Sequence, residues 1–192
     1  MKRRALLLLS ALAAGCAQLP APPSQGWAGK LGYQMEAAEG QRAQAGSALF
    51  ELQGDLRRGS LLLNSPLGTT LAQARWDEAG LWLDDTRKPQ RYADMDELGW
   101  ALGQAMQGPA LPLRLLFDWL HGRPSPLAPH EPQEQGFVQE GWLVQREDPT
   151  RLLLSRPAQG GQGALRLRIL LNPPESTTGG GGHLTPPGGA HS

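Results

Sequence analysis

The chain has 192 residues, among them 18 basic and 18 acidic ones, so its formal net charge is zero. This length suits one domain with a buried core. The charge balance argues against nucleic-acid binding, which depends on clustered Lys and Arg that neutralise phosphates. The single cysteine excludes an intramolecular disulfide and a cysteine-based zinc cluster.

The amino terminus has the pattern of a bacterial secretory signal peptide. Residues 2–4 are basic, an apolar run of about ten residues follows, and small residues precede Cys16. A membrane-spanning helix needs about twenty apolar residues, so this run is too short to be one. Residues 13–16 resemble the lipobox of bacterial lipoproteins, although Leu12 lies one place further from the cysteine than usual. The resemblance implies that the signal peptide, residues 1–15, is removed.

In bacterial lipoproteins the cysteine of the lipobox carries a diacylglycerol group and an N-acyl chain, so the resemblance implies both on Cys16. The alternative is an ordinary signal peptide that is cut nearby and leaves a free thiol. Ala17 is compatible with export to the outer membrane, since Asp at that place marks inner-membrane retention in enterobacterial lipoproteins. Removal of the signal peptide takes away three basic residues and leaves a net charge of −3. The acyl chains, rather than charge, are therefore expected to hold the chain on the membrane.

Two segments carry much of the glycine and proline of the chain. Residues 16–26 comprise the cysteine and AQLPAPPSQG, which we interpret as a flexible tether. Residues 172–192 are rich in Gly and Pro and have little to bury, which predicts a disordered tail. Between them, residues 27–171 are predicted to form one domain.

The domain begins with a predicted meander of short strands. Apolar residues alternate or run together in six segments, and each gap is short and contains Gly, Asp or Asn, as in hairpins. The segments are residues 27–36, 43–53, 56–64, 70–77, 80–84 and 87–92.

Two helices and more strands follow the meander. Asp94 is a candidate N-cap for a helix through Ala105, and Pro112 is a candidate first residue of a helix that ends before Gly122. In the second helix Arg114 and Asp118 are four residues apart and are expected to pair. After a proline-rich loop over residues 125–135, strands are predicted at residues 137–147, 151–155 and 164–171. This order predicts an α+β fold with one curved antiparallel sheet and helices on one face.

No motif for catalysis or cofactor binding is present, neither HExxH, GxSxG, a P-loop nor GxGxxG. His121 and His130 lie beside no recognisable nucleophile motif, so we expect no enzyme, no metal site and no cofactor other than the acyl chains on Cys16. Six tryptophans outnumber three phenylalanines. Tryptophan suits a lipid-binding cavity or a membrane interface, although ordinary core packing is the favoured explanation for any single one.

One turn is unusual because it carries an apolar residue at its tip. In residues 61–70, LLLNSPLGTT, Pro66 and Gly68 set the turn and Leu67 lies between them. An exposed leucine forgoes the roughly 1.5–3 kcal/mol that burial provides. Turn chemistry alone therefore favours a Leu67 that folds back against the sheet.

The stretch LLLNSPLGTTLAQARW, residues 61–76, resembles the LolB family of outer-membrane lipoproteins. Further matches come in the same order, and together they cover about residues 27–171. They are GKLGY at residues 29–33, Tyr92-Ala93-Asp94 with Glu97-Leu98, the helix PL…WLHGRP at residues 112–124, and Gly141-Trp142. The family often has a helix between the cysteine and the first strand, where this chain has only AQLPAPPSQG.

The resemblance implies an incomplete antiparallel β-barrel whose open side is covered by helices and which encloses an apolar cavity. The cavity accepts acyl chains of lipoproteins from the periplasmic carrier LolA, without ATP, and the client is placed in the inner leaflet of the outer membrane. The protruding leucine of the family corresponds to Leu67, so the resemblance favours an exposed Leu67 in a membrane-insertion loop with Pro66 and Gly68. We expect a monomer whose partners are LolA, client acyl chains and outer-membrane lipid.

Strand parity and the helix stripe predict which side chains face the cavity: Phe50, Leu62, Trp76, Leu116 and Trp119. Two other functions remain open. One is a lipid-anchored periplasmic binding module for a small apolar ligand, without insertion activity. The other is an enzyme of unrecognised type.

Overall fold

The computed structural model describes residues 26–40, 42–85 and 88–173. The predictions for the signal peptide, for Cys16 and the tether up to residue 25, and for the tail from residue 174 concern residues outside those ranges.

The described chain forms one antiparallel sheet of eleven strands and two helices. Its spatial order is β6-β5-β4-β3-β2-β1-β11-β10-β9-β8-β7, and the edge strands β6 and β7 do not pair with each other. The barrel is therefore incomplete, as expected. The strands are β1 (Gly26–Met35), β2 (Gln44–Gly54), β3 (Gly59–Asn64), β4 (Thr70–Asp77), β5 (Gly80–Asp84), β6 (Gln90–Tyr92), β7 (His130–Gln133), β8 (Gly136–Gln139), β9 (Trp142–Asp148), β10 (Arg151–Arg156) and β11 (Leu165–Leu171).

Local sequence sets the start of helix α1 (Met95–Ala105). The Asp94 carboxylate accepts hydrogen bonds from the backbone N–H groups of Asp96 and Glu97, both at 2.9 Å. Glu97 in turn accepts a bond from the Ala93 N–H at 3.0 Å. These reciprocal bonds satisfy donors that the first turn leaves free, so the predicted N-cap is confirmed.

Helix α2 (Leu113–Leu120) lies close to α1 because two glycines remove the side chains between α1 and the connecting segment. A Cβ on Gly99 would lie 2.1 Å from the Leu111 carbonyl oxygen, and one on Gly103 would lie 2.2 Å from that of Pro109. Pro112 is the N-cap of α2 rather than its first helical residue, so the helix begins one residue later than predicted.

The core lies between the inner face of the sheet and the helices. Along each central strand buried apolar residues alternate with exposed or half-buried ones, as in a sheet with one covered face. The Tyr33 hydroxyl donates to the Gln107 carbonyl oxygen at 2.7 Å and thereby ties β1 to the end of α1. Burial raises the pKa of this hydroxyl, which remains protonated and able to donate at neutral pH.

Two predictions after α2 are wrong. The predicted loop over residues 125–135 contains β7, and the predicted strand over residues 137–147 is the pair β8 and β9. The turn between β8 and β9 consists of Glu140 and Gly141, both with positive φ (48° and 76°), the conformation of a tight hairpin turn. A turn of only two residues hardly interrupts the pattern of alternating apolar residues, and the sequence therefore predicted one continuous strand.

The predicted ion pair within α2 is also wrong. Arg114 contacts Glu140 at 2.6 Å and Asp96 at 3.5 Å, whereas Asp118 contacts Arg123 at 2.9 Å. The hydrogen bond from Arg114 to Glu140 raises the pKa of the guanidinium. Tertiary packing brings the carboxylate of the β8–β9 turn to α2, and this contact replaces the local pair.

Candidate functional site

An apolar cavity lies between the inner face of the sheet and α2. Five strands, α2 and the segment before it supply the walls, and every lining residue is apolar. Such walls offer no hydrogen bond to a polar ligand and favour hydrocarbon. The lining residues are Leu31, Phe50, Leu52, Leu61, Leu63, Leu111, Pro112, Leu116, Leu120, Leu154, Leu167 and Ile169.

The cavity is small. Its volume is about 20 Å³, which is room for about one water molecule. Sites for small organic ligands usually measure about 300–1,000 Å³. The walls must therefore separate before a hydrocarbon chain can enter, and the wall without strand hydrogen bonds is the one formed by α2 and its connector.

The turn between β3 and β4 holds Leu67 away from the rest of the protein. The Leu67 side chain is 94% exposed, the highest value among the large apolar residues of the described chain. The Gly68 N–H donates to the Ser65 carbonyl oxygen at 2.9 Å, and the Ser65 N–H donates to the Thr69 carbonyl oxygen at 2.7 Å. A third bond joins the Thr69 N–H to the Ser65 hydroxyl oxygen at 3.2 Å. The tip is therefore rigid as well as exposed.

The residues of this loop suit its backbone. Gly68 has a φ of +83°, a conformation that costs an L-residue about 1–2 kcal/mol and costs glycine nothing. Pro66 stands at the second position of the turn, where its fixed φ is favourable. No Cβ contact would oppose a larger residue at Gly68, so backbone conformation alone explains the glycine.

Comparison with known proteins gives a consistent result. The family model described as "Outer membrane lipoprotein LolB" matches residues 26–171. The chain belongs to the LolB family. Relatives carrying the name "Outer-membrane lipoprotein LolB" include that of Cupriavidus pinatubonensis, 35% identical in an alignment of 152 positions that covers 68% of this chain and 70% of the relative. The Bordetella petrii protein is 32% identical in an alignment of 180 positions that covers 84% of this chain and 88% of the relative. The Neisseria meningitidis protein is 30% identical in an alignment of 147 positions that covers 73% of this chain and 72% of the relative.

Family membership confirms the resemblance drawn from the turn and helix motifs, whose span of residues 27–171 agrees with the match. Of the predicted cavity residues, the structure places Phe50 and Leu116 on the cavity wall. Leu67, Pro66 and Gly68 form the exposed tip. Cys16 lies outside the described residues.

Trp76 and Trp119 are buried in the same core but do not line the cavity. Their indole N–H groups form hydrogen bonds within the protein. That of Trp76 donates to the Asp55 carbonyl oxygen at 2.6 Å, and that of Trp119 donates to the Gln139 side-chain oxygen at 2.8 Å. The two tryptophans thus have the ordinary core role that the sequence left open.

The prediction that Leu62 faces the cavity is wrong, because Leu62 lies on the outer face of β3. Leu61 and Leu63 point inward and line the cavity. In a run of three leucines the apolar pattern does not reveal parity. The polar Ser60 and Asn64 share the parity of Leu62, and this was the signal in the sequence that marks its face as the outer one.

Ten further lining residues were not singled out from the sequence. Several belong to β10, β11 and the segment before α2, which reach the cavity only through the fold. No helix in the described part of the chain is long and apolar enough to cross a membrane. Within residues 26–40, 42–85 and 88–173, no three His, Cys, Asp or Glu side chains are grouped to hold a metal ion.

Proposed function

We propose that this chain is a lipid-anchored receptor on the periplasmic face of the outer membrane of a Gram-negative bacterium. It accepts lipoproteins from the carrier LolA into its apolar cavity and inserts them into the inner leaflet of the outer membrane. One observation carries the proposal: a chain of the LolB family combines a wholly apolar cavity with a leucine held rigidly at an exposed tip. No chemical step and no catalytic residue form part of it.

Anchoring depends on Cys16, with diacylglycerol and an N-acyl chain as the only added groups. Residues 17–25 can span at most about 32 Å, at about 3.5 Å per residue. This length limits how far the domain can lie from the acyl chains on Cys16. The mature net charge of −3 gives no general attraction to an anionic surface, so the acyl chains supply the anchoring energy.

Acceptance of a client requires the cavity to widen. Separating α2 from the sheet exposes apolar walls, and an entering acyl chain covers them again at about 0.8 kcal/mol per buried CH₂. The empty protein is thus closed and the loaded protein open. Transfer from the carrier then needs only a more favourable environment in the acceptor, without ATP.

Delivery to the membrane depends on Leu67. An apolar side chain on a rigid tip can enter the lipid interface at little cost in protein conformation. It would disturb lipid packing at the point where acyl chains leave the cavity. The four residues around it, Ser65, Pro66, Gly68 and Thr69, hold the tip in place.

The test is transfer of a lipoprotein from its LolA complex to outer-membrane vesicles. We expect Leu67→Glu to accept the client from LolA as the unaltered protein does and to lose most of its release into vesicles, because a carboxylate does not enter the lipid interface. Leu127→Glu is the matched control, since Leu127 is also an exposed leucine, at 50%, in a different loop. It should leave both steps unchanged.

The outcomes separate the candidate functions. Unchanged release with Leu67→Glu would contradict the insertion role. Failure of the unaltered chain to accept a client from LolA, with uptake of a small apolar ligand instead, would favour the binding module. In cells, depletion of this chain should leave mature lipoproteins in the periplasm on LolA.

A further inference from the structure

The outer face of the sheet, opposite the cavity, carries three exposed cations on two neighbouring strands. Lys30 lies on β1, and Arg166 and Arg168 lie on β11. Their neighbours in sequence, such as Leu31 and Leu167, point into the core, and the three cations therefore point outward. None of the three contacts a carboxylate among the described residues, where the ion pairs involve other arginines.

The strand register leaves these cations beside uncharged residues. Arg168 lies between Gly32 on β1 and Leu153 on β10. Arg166 lies between Gln34 on β1 and Ser155 on β10. Like charges two residues apart on one strand repel each other, and no carboxylate lies directly opposite either arginine to offset that cost. An anion bound from outside the protein would offset it.

Two exposed leucines flank the third cation. Lys30 lies between Leu49 on β2 and Leu170 on β11, whose side chains are 40% and 37% exposed. We call Lys30, Arg166, Arg168, Leu49 and Leu170 the basic outer face. Cations interleaved with apolar side chains are typical of surfaces that lie on a membrane, where the apolar groups enter the interface and the charges meet headgroups.

The basic outer face adjoins the loop that carries Leu67. Leu49 pairs across the strands with Asn64, the last residue of β3 before that loop, and Asn64 accepts a bond from the Thr70 hydroxyl at 3.0 Å on its far side. The outward carboxylate of β2, Glu51, lies two residues from Leu49 on the side away from the loop. On β2 the apolar Leu49 is therefore nearer the loop than the charged Glu51.

We propose that the basic outer face binds anionic phospholipid headgroups of the membrane into which Leu67 projects, and thereby orients the loop. The inference rests on the proposed function for its orientation, but the binding itself requires neither a client nor LolA. Guanidinium groups match phosphate oxygens in geometry and charge. Adjacency to Leu67 and the interleaved leucines favour a membrane over an acidic protein as the occupant.

The test uses the mature chain, residues 16–192, with Cys16→Ala so that acyl chains do not dominate binding. Flotation with vesicles of phosphatidylcholine, alone or mixed with phosphatidylglycerol, measures the affinity. Each cation near an anionic surface strengthens binding about fivefold. We expect Arg166→Gln/Arg168→Gln to weaken binding to the mixed vesicles roughly 10- to 30-fold and to leave binding to neutral vesicles unchanged.

The matched control is Arg57→Gln/Arg58→Gln, which removes two exposed arginines from the β2–β3 turn at the other end of the sheet. It should change the affinity less than twofold. An equal loss in the control, or no preference of the unaltered chain for anionic vesicles, would overturn the proposal. Unchanged vesicle binding with weaker binding to LolA would assign the face to the carrier instead.

The same vesicles separate this inference from the proposed function. Failure of Leu67→Glu to affect lipoprotein release, together with loss of vesicle binding in Arg166→Gln/Arg168→Gln, would contradict the insertion role and support the membrane surface. Loss of lipoprotein release in Leu67→Glu, together with unchanged vesicle binding in Arg166→Gln/Arg168→Gln, would support the insertion role and contradict the proposed membrane surface. Thermal unfolding of each variant checks that the fold is retained.

Discussion

Leu67 and Gln139 break the same rule in opposite directions. Leu67 is a large apolar side chain at 94% exposure, and Gln139 is a polar side chain at 1%. The structure explains the second within the protein: the Gln139 amide makes four hydrogen bonds that satisfy all its donors and acceptors in that site. Leu67 has no such partner in the described chain, although backbone hydrogen bonds hold the tip on which it lies.

The four bonds of Gln139 connect α2 to the loop that follows it. Its side-chain oxygen accepts from the Trp119 indole at 2.8 Å and from the Ser125 N–H at 2.9 Å. Its side-chain nitrogen donates to the carbonyl oxygens of Ser125 and Ala128, both at 2.7 Å. A buried polar residue with every bond made serves the fold, whereas an exposed apolar residue on a rigid tip indicates a partner outside the chain.

The largest expected effect on stability comes from Gln139→Leu. The substitution leaves the Trp119 and Ser125 donors and two carbonyl oxygens without partners, at about 1–3 kcal/mol for each group that stays buried. We expect the free energy of unfolding to fall by about 3 kcal/mol, measured by urea denaturation. Gln73→Leu on the exposed face of β4 is the control and should change it by less than about 0.5 kcal/mol. A loss below about 1 kcal/mol for Gln139→Leu would show that water replaces the network.

A smaller effect is expected for Gly68→Ala, which strains the tip without a steric clash. The positive φ should cost about 1 kcal/mol and loosen the loop. Gly40→Ala is the matched control, because Gly40 has a φ of +75° and equally open surroundings. Both should lower the free energy of unfolding similarly, but only Gly68→Ala should slow release of a lipoprotein into vesicles. Equal release by the two variants would separate tip rigidity from function.

The smallest effect on stability is expected for Leu67→Ser. An almost fully exposed side chain contributes little to packing, so the free energy of unfolding should stay within about 0.5 kcal/mol of its original value. Thermal and urea unfolding both measure this. A loss above about 1 kcal/mol would mean that Leu67 packs against the protein in solution, and the contrast with Gln139 would disappear.

Features that depend on near neighbours in sequence could be predicted from it. Asp94 starts α1 because its carboxylate reaches N–H groups two and three residues away. Pro66 and Gly68 form their turn because each restricts or permits its own backbone angles. Apolar alternation predicted most of the strands, and the ordered motifs predicted the family and its incomplete barrel.

Features that depend on distant residues could not be predicted in the same way. Three features depend on which strand or turn packs beside the segment concerned. They are the outward direction of Leu62, the division into β8 and β9, and the pairing of Arg114 with Glu140. In the sequence Gln139 is an ordinary strand residue, and only the fold places the loop after α2 over it. The exposure of Leu67 follows from the absence of any described element above the turn, where turn chemistry alone had favoured burial.

The sequence by itself determined the alternation of the strands, the caps and turns, and the family, because these follow from interactions over a few residues or from motifs in fixed order. Only the tertiary structure decided that the cavity is small and that Lys30 lies on the same face as Arg166 and Arg168. Pairing of β1 with β11 joins residues 130 to 142 positions apart, and the volume between sheet and helices depends on how all their side chains pack together.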